Sequence, residues 1–159
     1  MIIFKDRYFP HYFKIIRQTY IKQRVDTFIT YFKAYYWGVQ LEKGSEFVGL
    51  PKFRKTPKSS IYIGKNARLL SSFSANLHGL NRKCMISTLD KNASITIGDN
   101  FGMSGGIIAS ALKVTIGSRV MIGANCTITD TDSHALNFKD RHANYYNLKT
   151  KDYKEPIKK

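Results

Sequence analysis

The chain has 159 residues, carries 26 Lys and Arg against 11 Asp and Glu for a formal charge of +15, and is 43% hydrophobic. That length suits one domain with a modest core, and the hydrophobic share excludes a wholly disordered chain. The charge favours an anionic partner without choosing among phosphate-bearing ligands, membrane headgroups and nucleic acid.

The basic excess is concentrated at the two ends: 12 basic and 4 acidic side chains in residues 1–60, 7 and 4 in 61–135, and 7 and 3 in 136–159. A nucleic-acid reader carries its bases along a recognition element. No recognition helix, zinc spacing or RNA-binding aromatic motif occurs here, so nucleic acid is not the expected partner. Cys84 and Cys126 are distant thiols, read as packing groups in a reducing compartment. No uncharged apolar run approaches the roughly 18 residues of a transmembrane helix. Lys5, Asp6 and Arg7 interrupt the opening too soon for a signal peptide, and a cytoplasmic location is expected.

In chain order, Phe9, Phe13, Ile16, Tyr20, Phe28, Phe32 and Tyr36 recur at spacings that mostly suit one helical face, with Arg17, Lys22, Arg24 and Lys33 elsewhere. This predicts an amphipathic α-helical segment over residues 1–38: one long helix, or two with a break near Asp26 and Thr27, ending at Gly38. The apolar stripe is expected to pack on the rest of the protein. The alternative is a basic, aromatic helix lying on an anionic membrane surface. Residues 39–60 hold Gly44, Gly49, Pro51 and Pro57 and read as a linker with short strands.

From Ser60 onward helical periodicity gives way to a recurring phrase. Its four copies are Ile63-Gly64-Lys65-Asn66-Ala67, Ile97-Gly98-Asp99-Asn100-Phe101, Ile116-Gly117-Ser118-Arg119-Val120 and Ile122-Gly123-Ala124-Asn125-Cys126. Met103 lies six residues after Ile97, and Ile128 six after Ile122. A six-residue period places an aliphatic side chain inward on each of three faces, and the residue after the Gly-x pair tolerates the left-handed backbone of a tight corner. Three faces make a coil of roughly 18 residues, and stacked coils bury a column of Ile, Val and Met. The 19 residues from Ile97 to Ile116 suit one coil with an inserted residue, and the 34 from Ile63 to Ile97 suit two irregular coils.

These phrases, with Gly102-Met103-Ser104-Gly105 and Thr129-Asp130-Thr131-Asp132-Ser133-His134, resemble the hexapeptide-repeat acyltransferases, and more closely their sugar O-acetyltransferase branch. The resemblance implies a mainly β fold, a left-handed parallel β-helix of hexapeptide repeats over residues 61–134, preceded by the α-helical segment. It also implies acetyl-CoA as co-substrate, a sugar or polysaccharide or lipopolysaccharide precursor as acceptor, and a homotrimer.

The aliphatic period stops at Asp130-Thr131-Asp132-Ser133-His134, where an ejected loop can build a pocket on an otherwise uniform rod. Acetyl transfer to a hydroxyl needs a base, and a neutral imidazole can take the alcohol's proton near pH 7. The resemblance assigns His134 as that general base. Asp132 or Asp130 is the carboxylate expected to orient it. Arg141 and His142 are candidates for binding substrate. His78 is another, with a structural role or a subunit contact as its alternative. A calcium loop starting at Asp130 fails, because its sixth position is Ala135 and its twelfth Arg141; no metal is expected.

Members of the family usually carry further coils after the histidine loop. Residues 135–159 hold no complete repeat, so the chain reads as C-terminally truncated, and a non-catalytic assembly or peripheral membrane module is the alternative function.

Overall fold

A computed structural model describes residues 8–76 and 78–132, and for residues 18 and 19 the backbone alone. Helix α1 (Phe9–Ile16) runs through a π-helical stretch, Arg17–Lys22, into α2 (Gln23–Tyr36). Pro10 sits in the first turn of α1, where its missing N–H costs nothing. Gly38, at φ 63°, follows the last turn as a left-handed stop. The helical bonding changes at Arg17–Lys22 rather than near Asp26 and Thr27, which lie within α2.

Strands then follow in triplets: β1 (Gln40–Leu41), β2 (Glu46–Val48) and β3 (Lys52–Arg54); β4 (Ser60–Ile63), β5 (Arg68–Leu70) and β6 (Met85–Thr88). The third triplet is β7 (Ser94–Ile97), β8 (Gly102–Ser104) and β9 (Ile107–Ser110), and the fourth β10 (Lys113–Ile116), β11 (Met121–Ile122) and β12 (Thr127–Thr129). They form three sheets of four strands, ordered β1-β4-β7-β10, β2-β5-β8-β11 and β3-β6-β9-β12, and every pairing is parallel. The chain visits the sheets in strict rotation, so each triplet is one turn of a three-sided stack. This topology is consistent with a parallel β-helix.

Register explains the core. Leu41, Ile63, Ile97 and Ile116 align down the first sheet. Phe47, Leu69, Met103 and Ile122 align down the second, and Phe53, Ile86, Ile108 and Ile128 down the third. Strands buried on one side alternate inward and outward residues, as β10 does with Lys113 and Thr115 exposed and Val114 and Ile116 buried.

The corners explain the repeated phrase. Asn66, Asn100, Arg119 and Asn125, the fourth residue of each copy, all have φ between 56° and 63°. The Asn66 amide donates to Asn100 Oδ1 at 3.3 Å, which ties successive turns at that corner. At Gly64 and Gly98 the glycine after the isoleucine lets one turn approach the next: a Cβ on Gly98 would stand 2.6 Å from Ser118 N and 2.8 Å from Gly117 C. Gly98→Ala is therefore expected to cost about 1–3 kcal/mol of stability as an overpacked contact, measured by urea unfolding.

Three sequence readings change. The segment 39–60 is the first turn of the stack; Phe47 and Phe53 take aliphatic positions there, and Gly44 and Lys58 supply the left-handed corners. Ile63 pairs directly with Ile97, so the interval between them is one turn with residues 71–84 inserted between β5 and β6. Cys84 is buried, its thiol donating to the Leu70 carbonyl at 3.2 Å, whereas Cys126 is exposed and is no packing group.

The largest correction concerns α2. Its buried residues are Asp26, Thr30 and Ala34, while Phe28, Phe32 and Tyr36, expected to pack, are exposed. The cause is the lower edge of the first turn, which presents unpaired backbone N–H groups. Tyr31 Oη accepts from Ser45 N, Thr27 Oγ1 from Phe47 N, and Asp26 Oδ2 from Gly49 N at 2.6 Å. Lys22 completes the Asp26 site at 2.8 Å. An open strand edge needs acceptors more than it needs apolar cover, and α2 turns its polar side to it.

Candidate functional site

Strand β12 ends at Thr129 and delivers Asp130 above the corner joining β9 to β10. Asp130 Oδ1 accepts from Ala111 N at 2.6 Å, and Oδ2 from Ser110 Oγ at 2.8 Å, Leu112 N at 2.9 Å and Lys113 N at 2.7 Å. Three of these four donors converge on Oδ2 and one on Oδ1, which fixes the carboxylate on the corner. Burial pushes the Asp130 pKa up, but the bonds from Ala111, Leu112, Ser110 and Lys113 outweigh it and hold the pKa below the ordinary aspartate value.

The sign of the pH effect follows. A carboxyl whose pKa is lower folded than unfolded stabilises fully above the unfolded value of about 3.9, and that contribution fades as pH falls through the folded value. Asp130→Asn puts an amide N–H among N–H donors. It is expected to cost about 1–3 kcal/mol at pH 7 and to lessen the acid sensitivity of unfolding below about pH 4. Thermal melts of both proteins from neutral pH down to about pH 2, below the unfolded aspartate value, test it.

Asp132, two residues beyond, is exposed. The two aspartates are thus distinguished by their surroundings: Asp130 holds a corner, and Asp132 faces solvent. His134, Arg141 and His142 lie outside the described residues. His78 is exposed on the 71–84 insertion, its N–H bonded to Asn76 Oδ1 at 2.9 Å. That insertion is tied to the corner before β12: Asn81 N donates to Asn125 Oδ1 at 3.0 Å and the Arg82 guanidinium to Thr127 Oγ1 at 3.3 Å. The loop bearing His78 therefore lies against the start of β12, and Asp130 follows that strand's other end. Among the described residues no group of three His, Cys, Asp or Glu side chains could hold a metal ion.

A second feature has no linear signature in the sequence. Lys52, Met85 and Ile107 stand side by side on the outer surface of the third sheet. With Phe73, Arg82 and Lys83 from the insertion they line a shallow, open cleft of about 340 Å³. Lys33 of α2 is close enough to share its field: burial lowers the Lys33 pKa, and Lys83 and Lys52 lower it further. Its ammonium donates to the Pro51 carbonyl at 2.6 Å. Cations gathered beside apolar walls suit an anionic ligand with a hydrophobic part. Four separated stretches of chain supply the residues, so only the strand register could have revealed the cleft.

The described residues thus form three parallel sheets visited in rotation, with a helix against the first turn. No protein-family model, curated protein or solved structure matches the chain.

Proposed function

We propose that the chain is an acetyl-CoA-dependent O-acetyltransferase acting on a hydroxyl of a sugar or glycan precursor, built on a left-handed parallel β-helix of hexapeptide repeats. The observation that carries this reading is the repeat itself. Ile63, Ile97 and Ile116 occupy one column, the fourth residue of every copy turns a left-handed corner, and the period gives way at Asp130-Thr131-Asp132-Ser133-His134.

The chemistry asks little of the protein. His134, as neutral imidazole, accepts the proton of the acceptor hydroxyl as its oxygen attacks the thioester carbonyl. The tetrahedral adduct collapses, the C–S bond breaks, and the CoA thiolate leaves and takes up the proton from the imidazolium. Asp132 is the carboxylate that orients the imidazole and balances its charge, since Asp130 is fixed on the β9–β10 corner by four hydrogen bonds. Arg141, His142 and His78 are the candidates for holding the acceptor. The cleft of Lys52, Arg82 and Lys83 suits the phosphates of a donor or of a phosphorylated acceptor. A homotrimer is the assembly that goes with this reading.

The test is release of free CoA thiol from acetyl-CoA, with and without a panel of glycan and sugar acceptors. Release that depends on acceptor and yields an acetyl ester supports the assignment. An absence of both CoA binding and turnover across the panel overturns it in favour of a non-catalytic assembly module.

A further inference from the structure

Among the described residues, most of the exposed large hydrophobic side chains lie on the N-terminal helical segment. Helix α1 buries no residue at all. Along the π-helical stretch and α2, Tyr20, Ile21, Phe28, Phe32, Tyr35 and Tyr36 are between 60% and 83% exposed. The polar side of α2 already has its role in sealing the first turn, so this aromatic side is not a packing face awaiting the core.

Its charge is one-sided. Lys14, Arg17, Lys22, Arg24 and Lys33 lie on these elements, and the only acid among residues 8–37, Asp26, is 6% exposed and held by Lys22 and Gly49 N. At roughly 100° per residue, Arg24 falls on one flank of the Phe28-Phe32-Tyr36 stripe and Lys33 on the other. Lys33 lies within the electrostatic reach of Lys52 on the third sheet and Lys83 of the insertion. The outer face is thus apolar along its middle and cationic along its margins, with no exposed carboxylate.

We propose that this face docks on an anionic lipid surface, the aromatic stripe entering the headgroup–acyl boundary and the flanking bases meeting lipid phosphates. Charge selects this occupant over a second copy of the chain. Face-to-face pairing of two such helices would bring like charges together with no acid between them, whereas anionic lipid contributes about 1 kcal/mol for each base near its surface. No described helix is long and apolar enough to cross a membrane; the segment lies in the interface. The proposal is independent of the transferase reading, because it needs neither His134 nor turnover.

Trp37, the chain's single tryptophan, stands at the end of α2 and is 38% exposed, which makes it an internal reporter. The full chain is titrated with vesicles of phosphatidylcholine mixed with phosphatidylglycerol, and with phosphatidylcholine alone. Sedimentation and Trp37 emission are both followed. The expected result is co-sedimentation and a blue shift with the anionic vesicles, at least about tenfold weaker binding to neutral ones, and weakening as salt rises. Phe28→Ser with Phe32→Ser changes only exposed positions, and circular dichroism checks that the fold survives. This variant is expected to lose binding about tenfold or more; Arg17→Glu with Arg24→Glu is expected to lose the preference for anionic lipid. Equal binding to both vesicles overturns the proposal, as does no binding. So does a discrete oligomer in sedimentation velocity that the Phe28/Phe32 variant dissolves while wild type ignores vesicles; that result assigns the face to a second copy.

Discussion

Ile97→Ala is expected to destabilise the protein by about 2–5 kcal/mol, the cost of a cavity at a site that cannot collapse. Ile97 is fully buried, with Ile63 in register on one side and Ile116 on the other. Neighbouring turns are held at fixed spacing by backbone bonds such as Gly64 N to Ile97 O and Gly98 N to Ile116 O, both 2.9 Å. The walls of the cavity are therefore the ladder itself and have little freedom to close. Ile122, only half-buried in the last described turn, is the matched control, and Ile122→Ala is expected to cost clearly less. Urea unfolding of the two variants provides the comparison. Equal losses would mean that the interior column does not carry the stability assigned to it.

His134→Ala is expected to lower the rate of acetyl transfer about 10²- to 10⁴-fold, the usual contribution of a positioned general base. The loss should fall on kcat, because the imidazole acts on a proton in flight rather than on the bound ground state. Affinity for CoA and the thermal melting temperature should be nearly unchanged. Asp132→Asn should reduce the rate less, through a poorly oriented imidazole. Asp130→Asn should act chiefly on stability, through the β9–β10 corner. This division of effect separates the two aspartates in a way that their spacing in the sequence could not.

What was legible in the sequence tracks how strictly each residue type is demanded. The Ile-Gly-x-Asn phrase was readable because its elements answer separate physical needs: an inward aliphatic, room for the next turn, and a left-handed corner. Where other residues met the same needs, the signal disappeared. Lys58 and Asn92 hold left-handed corners without the phrase, and Phe47 and Phe53 fill the column of the first turn, which then read as a linker. The interval from Ile63 to Ile97 reads as two coils, but is one turn with an insertion, because a period alone does not distinguish an extra turn from an inserted loop.

The helix teaches the opposite lesson. Its periodicity correctly marked an apolar face, yet that face is the outward one. Which side turns inward was decided by Ser45 N, Phe47 N and Gly49 N, whose need for acceptors is a property of the stack's edge and not of the helix sequence. The cationic cleft was illegible for a related reason: Lys33, Lys52, Arg82 and Lys83 meet only through strand register and the course of the insertion. Of the candidate site, Asp130 and Asp132 lie where the period breaks, and only hydrogen bonds could tie Asp130 to the β9–β10 corner while Asp132 stays exposed.

The most direct test of the transferase account is the pH dependence of acetyl transfer in the full chain, followed as thiol release from pH 5 to 9 at saturating acetyl-CoA. With a histidine as general base the rate should rise through an apparent pKa near about 6.5 and level off above it. His134→Ala should remove that limb together with most of the rate. A rate that is flat across the range, or a limb that persists in His134→Ala, would contradict the account.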